Sequence, residues 1–364
     1  MTFNLPSGLK LGSEPLPPIF DGFTDHEYAI KHGVTLTLRV WPGRVPIQPR
    51  SIVTETSRTT DGQSKEPAST ARASWVLWIH GGAFCSGQHY QPRVWLLPLL
   101  LPLDITVVSI SHRFAPLVEI EGMLQDCEDA YSWCRRELRS ALREKGLEVD
   151  LDRWAVGGDS AGGSLATLLA LRVEPRPKAV INIYGVTDLL HQQSYYDSLP
   201  PPPPWPTSEP RNREEMDELL LNRDPSHAIA ISPSAWNIRA LDPKHEAREE
   251  KGLREMWACG DQFTLDEGVR NQWDLKGYID QFRLMNSVAL DLSPRMSREE
   301  QEEKLKRYSI VHLLDPSFKP DAQQRSYPPT FILHGRADMA VPVEESYTLA
   351  RMIKEKLWRG TKME

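Results

Sequence analysis

The hexapeptide Gly158-Asp159-Ser160-Ala161-Gly162-Gly163 stands between a short apolar run, Trp154 to Gly157, and a segment compatible with helix from Ala161 to Arg172. Strand, sharp turn and helix in so few residues crowd the backbone, and the glycines relieve that crowding. The turn would hold Ser160 in a strained conformation. The helix start behind it offers N–H groups and positive potential to a developing oxyanion. A bare G-x-S-x-G occurs in many loops. The flanking strand and helix make this one a candidate nucleophile.

Other short apolar runs repeat the texture: Trp75 to His80, Ile105 to Ile110, Ala179 to Tyr184 and Thr330 to Leu333. They are apolar on both alternating faces, which suits strands buried on both sides of a sheet. Helix-compatible segments lie between or after them, at Met123 to Lys145, Ala161 to Arg172 and Glu344 to Leu357. Such alternation predicts an α/β fold with a mostly parallel central sheet and helices on both faces. Tyr28 to Trp41 alternates apolar and polar residues and reads as an antiparallel pair or hairpin. Arg44 to Ala73 is rich in Ser, Thr and Pro and reads as a surface loop.

The alternation stops after Tyr184, and about 140 residues separate that run from the next one at Thr330. This stretch holds five consecutive prolines, Pro200 to Pro204, and several helical segments. One opens with Ser297 and Glu300 in a capping-box pattern, followed by Glu300–Lys304, Glu302–Lys306 and Glu303–Arg307 at four-residue spacing. The expected organisation is an N-terminal arm at 1–27, a core at 28–185 and 326–364, and a helical cap or lid insert at 186–325. A packed helical decoration without a gating role remains open for the insert.

Composition excludes several classes. Among 364 residues, 40% are hydrophobic and the formal net charge is −7, so neither a disordered chain nor a nucleic-acid binder relying on a basic surface is expected. Four cysteines without CxxC spacing give no disulfide scaffold and no zinc site. Cys127 and Cys134 fall in one predicted helix, where a mutual disulfide is geometrically unfavourable. The first 20 residues lack the basic start and apolar core of a signal peptide, and Trp95 to Leu103 is too short and too broken by proline to span a membrane. The expectation is a cytoplasmic protein with no cofactor, no metal, no nucleic-acid partner and no membrane partner.

Two further motifs sit at strand ends. His80-Gly81-Gly82-Ala83-Phe84 follows Trp75 to Ile79, and successive glycines let backbone N–H groups approach a substrate oxygen. His334-Gly335-Arg336-Ala337-Asp338-Met339-Ala340-Val341-Pro342 follows Thr330 to Leu333. A carboxylate just past a late strand is placed to orient a histidine, although an Asp there also caps a following helix.

Together HGGAF (80–84), SHRFAP (111–116), GDSAGG (158–163) and HGRADMAVP (334–342) resemble the α/β-hydrolase superfamily, and more narrowly its hormone-sensitive-lipase-like carboxylesterase branch. The resemblance covers roughly Tyr28 to Leu357 apart from the insert. It implies that Ser160 attacks an ester carbonyl, that the N–H groups of Gly81, Gly82 and Ala161 hold the oxyanion, and that Asp338 is the triad acid. Two departures stand out. Ser111 and His112 occupy positions where that branch usually has Asp and Tyr. The triad histidine, expected some thirty residues beyond the acid, is not among the 26 residues that follow Asp338. On this reading the last strand and helix of the fold are missing.

Without a base, a serine hydroxyl is a poor nucleophile at neutral pH. Three explanations are open: a sequence cut short of a longer enzyme, a substitute base among His112, His191 and His334, or a non-hydrolytic member of the fold that binds, cyclises or condenses a metabolite. An arylformamidase-like amidase is a further alternative within the superfamily. The leading expectation is a carboxylesterase-like serine hydrolase acting on a small or medium apolar ester. Trp95 to Leu100 is a candidate acyl pocket or plain core, and Tyr195, Tyr196 and Trp205 are a candidate lid face. A homodimer covering the strand Thr330 to Leu333 is conceivable.

Overall fold

A computed structural model describes residues 22–43, 72–207, 209, 211–233, 246–318 and 327–359. Residues 1–21 of the expected arm at 1–27 and most of the expected surface loop, 44–71, lie outside the described residues, whereas Thr24 to Glu27 of that arm belong to the first strand.

Strands β1 (Thr24–Lys31) and β2 (Val34–Trp41) form the expected hairpin, turning at His32 and Gly33, both with positive φ. They add antiparallel to a parallel block made of β3 (Ala73–Ile79), β4 (Ile105–Ile110), β5 (Val149–Asp159), β6 (Ala179–Ile183) and β7 (Thr330–Leu333). Spatial order is β1-β2-β4-β3-β5-β6-β7, with only the hairpin and its junction antiparallel. Strand β5 starts five residues before its apolar run. Val149-Asp150-Leu151-Asp152-Arg153 alternates because one of its faces is exposed, and Val149 pairs with Ala73 across a register irregularity.

The period of two sends Trp75, Leu77 and Ile79 to one face of the sheet and Val76 and Trp78 to the other. The first face is covered by α2 (Ile120–Arg143) and α3 (Ala161–Arg172). Helix α2 presents Met123, Cys127, Ala130, Cys134 and Leu138 at three- and four-residue spacing, and both cysteines are free and buried. Helix α3 is buried on every side from Ala161 to Ala170, so its sequence is apolar all round rather than striped. The second face is covered by α1 (Leu96–Leu100), whose Leu96, Leu97 and Leu100 are core while Trp95 and Leu99 face outward. The candidate pocket run therefore serves largely as core.

Between β6 and β7 lie α4 (Leu189–Ser198), α5 (Arg213–Leu221), α6 (Glu246–Trp257), α7 (Glu267–Phe282), α8 (Met285–Ala289), α9 (Arg298–Arg307) and α10 (Ile310–Leu314); α11 (Val343–Arg359) follows β7. The α9 capping box forms as expected, with Ser297 accepting from the Glu300 N–H and the Glu300 carboxylate from the Ser297 N–H. That turns Glu300 away from Lys304, which instead reaches Glu119 at the start of α2, while Lys306 pairs with Glu303.

Polar bonds tie this insert to the loops that leave β3 and β4. Gln272 of α7 donates to the Cys85 and Ala115 carbonyls, both at 2.7 Å, and Ser232 exchanges backbone bonds with Gly87. Arg39 of β2 is buried, paired with Asp25, and donates to the carbonyls of Tyr90 and Trp257. The insert is thereby fixed over the carboxyl ends of the strands, where open parallel sheets place their ligand sites.

Candidate active site

At the end of β5, Ser160 has φ 52° and ψ −126°, a left-handed conformation that L-residues avoid. Its N–H donates to the Ile183 carbonyl at 2.9 Å, and its carbonyl accepts from Ser164 as α3 begins. The neighbouring glycines are required sterically. A Cβ on Gly162 would lie 2.2 Å from the Ile79 oxygen, and one on Gly158 would lie 2.3 Å from the Gly162 oxygen. Strand β3 and helix α3 can approach the turn only because those atoms are absent.

The loop after β3 lies directly against this elbow. A Cβ on Gly81 would fall 2.6 Å from the Asp159 carbonyl oxygen, 2.7 Å from Asp159 Oδ2 and 3.0 Å from Ser160 Cβ. Beyond it the chain turns through Gly82, Ala83 and Phe84 with φ of 133°, 53° and 62°, and the Gly82 carbonyl accepts from Cys85 N and Ser86 Oγ. The N–H groups of Gly82 and Ala161 make no hydrogen bond with any described residue. That of Gly81 faces the Asp159 carboxylate. Burial pushes the Asp159 carboxyl up, against the opposing pull of Arg93, whose Nε and Nη2 both donate to Oδ2.

Asp338 lies at the end of β7, as expected of a residue just past that strand. Its Oδ1 accepts from the Ala340 and Val341 N–H groups at 2.8 and 3.0 Å, and its Oδ2 is 3.5 Å from His334 Nε2. Partial burial would raise its pKa, but the bonds from His334, Val341 and Ala340 outweigh that and hold it below the usual carboxylate range.

The three histidines considered as substitute bases are each engaged elsewhere. His334 bonds Ser346 Oγ at 2.7 Å through Nδ1 and the Val341 carbonyl at 2.9 Å through Nε2. His112 is buried, with Nδ1 on the Arg113 carbonyl, and stacks on His80 with ring centroids 4.5 Å apart. His191, half exposed on α4, stands 3.6 Å from the buried carboxylate of Glu345. No histidine among the described residues hydrogen-bonds the Ser160 hydroxyl. His245 lies outside them.

Sequence reasoning missed the Arg93–Asp159 pair and the His80–His112 stack, and no periodicity or motif could have shown either. The Tyr184 ring was missed too, although its place immediately after an apolar strand was a usable signal. Tyr184 follows β6 with φ 41°, between Arg93 and His334, and burial raises its hydroxyl pKa to about 12.

The histidines beneath the loop give a pH prediction. Burial lowers the pKa of His80, most strongly of its causes, and likewise of His89 and His112. In the unfolded chain each would take a proton near pH 6.5, which the folded chain refuses. The stability they contribute is present above pH 6.5 and is lost as pH falls below it, by about 1.4 kcal/mol per pH unit for each proton withheld. His334 is raised despite burial by its bonds to Asp338 and Val341, and His191 is raised by Glu345; their contribution changes only above pH 6.5. Urea midpoints should therefore drop clearly between pH 6.5 and 5.5. An unchanged or rising midpoint would contradict neutral burial of these rings.

A model of the family described as alpha/beta hydrolase fold matches residues 76–245, which span the loop after β3, the elbow and the first part of the insert. The chain has the α/β-hydrolase fold. Its motifs resemble those of the hormone-sensitive-lipase-like branch. Among solved structures, an alpha/beta hydrolase superfamily protein from Enterococcus faecalis aligns with a TM-score of 0.51 over 88% of this chain and 83% of that one, at 16% identity, a likeness of fold alone. An ethyl acetate hydrolase of Pseudomonas putida is 30% identical over 118 residues, 31% of this chain and 35% of that protein. The non-reducing polyketide synthase Preu6 of Preussia isomera is 36% identical over 290 residues, 77% of this chain. The chain spans 11% of that synthase's length. Among the described residues, no helix is long and apolar enough to cross a membrane.

Proposed function

We propose that this chain transfers acyl groups through Ser160, as a serine hydrolase of small or medium apolar esters. The observation that carries the proposal is the Ser160 backbone at φ 52° with Gly81 packed against its Cβ, which puts a strained nucleophile and a glycine loop at one point. In the reaction the Ser160 oxygen bonds to the carbonyl carbon, and the hydroxyl proton passes to a base, here added imidazole, which returns it to the leaving oxygen. The ester C–O bond breaks and the alcohol departs protonated; water then releases the acid and restores the serine. The N–H groups of Gly82 and Ala161, with Gly81 beside them, hold the carbonyl oxygen as it gains charge. Asp338 is the carboxylate that fixes a histidine's tautomer. A base in contact with Ser160 is absent among the described residues, so free imidazole is the expected substitute.

The relation to polyketide synthases over most of the chain favours a second reading within the same chemistry, in which the acyl group is a polyketide chain and the bond broken is a thioester. Non-hydrolytic binding or condensation and an arylformamidase-like activity are the competing readings, and turnover separates them. With imidazole present, 4-nitrophenyl butyrate should be hydrolysed at least about a hundredfold faster by the wild type than by Ser160→Ala. Equal rates would overturn the proposal, and faster cleavage of a matched formanilide would move the activity to an amidase.

A further inference from the structure

We propose that Arg93 is the anion-recognition residue of this acyl site, so that the preferred ester or thioester carries a carboxylate or ionised phenol close to its scissile carbonyl. The inference rests on the Ser160 reading and replaces the wholly apolar ester of that reading with one that carries an anion on an otherwise apolar acyl chain.

Asp159 Oδ2 and Ser160 Cβ both lie within 3.0 Å of the single point that a Gly81 Cβ would occupy. The Arg93 guanidinium is anchored to that same Oδ2, with Nε at 2.8 Å and Nη2 at 2.5 Å. It therefore stands one carboxylate away from the nucleophile, on the side of the glycine loop. Its other neighbour is the Tyr184 ring, whose centroid is 6.0 Å from Arg93 Cζ. Tyr184 is kept there despite its positive φ, its N–H bonded to the Leu333 carbonyl at 2.7 Å.

A guanidinium carries five N–H donors in a planar fork. Here Nε and Nη2 are spent on one oxygen of Asp159, and Nη1 bonds to no described residue. The Asp159 side chain is 2% exposed, whereas that of Arg93 is 34% exposed. The buried carboxylate fixes the fork, and the side chain that carries the free Nη1 is partly open to solvent. A positioned guanidinium edge matches a carboxylate or phenolate better than a neutral group, because the bonds are charge-assisted and little rotamer freedom remains to be lost. Asp338, a further carboxylate at this end of the sheet, is occupied by the Ala340 and Val341 N–H groups and by His334. A substrate anion would complete a carboxylate–guanidinium–anion row beside Ser160.

The test is binding, so that it does not depend on turnover. In Ser160→Ala protein, calorimetry compares monophenyl succinate with phenyl butyrate, which share the leaving group and differ by a terminal carboxylate. The expected result is about ten- to a hundredfold tighter binding of the succinate. Because Arg93→Gln alone strands a buried carboxylate, the decisive variant is Arg93→Gln with Asp159→Asn, which should reduce the preference to less than about twofold. Arg93→Lys should keep part of it. Equal affinities, a preference that survives the double variant, or no binding of either ester would overturn the inference. Imidazole-dependent hydrolysis of phenyl butyrate by the wild type reads the Ser160 claim separately, so the two can fail independently.

Discussion

Adding one methyl group at Gly81 is expected to slow reaction at Ser160 by about a hundredfold or more, the loss typical when an oxyanion donor is displaced. The Gly81→Ala Cβ would sit 2.6 Å from the Asp159 carbonyl oxygen and 3.0 Å from Ser160 Cβ. Neither can retreat: Asp159 is the last residue of β5, paired with Ile183, and the Ser160 N–H is bonded to the Ile183 carbonyl. The loop must move instead, carrying the Gly82 N–H group away from the substrate oxygen and the Gly81 N–H away from the Asp159 carboxylate. The matched control is Gly252→Ala in α6, where a Cβ meets nothing within 4 Å. Imidazole-assisted hydrolysis of 4-nitrophenyl butyrate should collapse in the first variant and persist in the second, with both folded by circular dichroism. Undiminished activity of Gly81→Ala would mean the loop does not serve the oxyanion.

The largest stability effect is expected at Asp126. This residue of α2 is fully buried and accepts from the Arg113 N–H and Nε at 3.0 Å and from Arg113 Nη2 at 2.8 Å, with Lys31 Nζ 3.1 Å away as an ion pair. Arg113 belongs to the segment after β4, and its side chain is only 6% exposed. Asp126→Ala leaves that guanidinium buried without a counter-charge, which costs about 3–5 kcal/mol. Against a usual total of about 5–15 kcal/mol, urea unfolding should shift to much lower denaturant. A loss below about 1 kcal/mol would show that water reaches Arg113 and replaces the carboxylate.

How far the sequence carries depends on how local the physics is. Strand β4 and helix α3 coincide with their apolar runs because burial on every side writes itself into consecutive residues; β7 coincides with its run as well, although its Phe331 and Leu333 are exposed rather than buried on both sides as expected. The start of β5 escapes, since Asp150, Asp152 and Arg153 face outward where that strand joins the sheet. The elbow was legible because a strained turn between strand and helix demands glycine at set offsets, which Gly158 and Gly162 meet through contacts with backbone atoms. Pairings across long separations were not legible. Arg93 meets Asp159 66 residues later, and Gln272 reaches back 187 residues to Cys85. Even a local rule yields to a nearer competitor: the Glu300 carboxylate takes the Ser297 N–H, leaving Lys304 for Glu119. His112, a departure from the branch's usual Tyr, turns out to be a buried ring stacked on His80.

The claim that Ser160 is an acyl-accepting nucleophile is tested most directly by intact-mass analysis after fluorophosphonate treatment. Phosphonylation forms a bond from the serine oxygen to phosphorus and expels fluoride, so it needs an exposed, oriented hydroxyl and an oxyanion hole but no substrate specificity. The expected result is one adduct per chain on Ser160, forming slowly alone, faster with added imidazole, and absent in Ser160→Ala. No adduct on folded wild-type protein with imidazole present, or an equal adduct in Ser160→Ala, would contradict it.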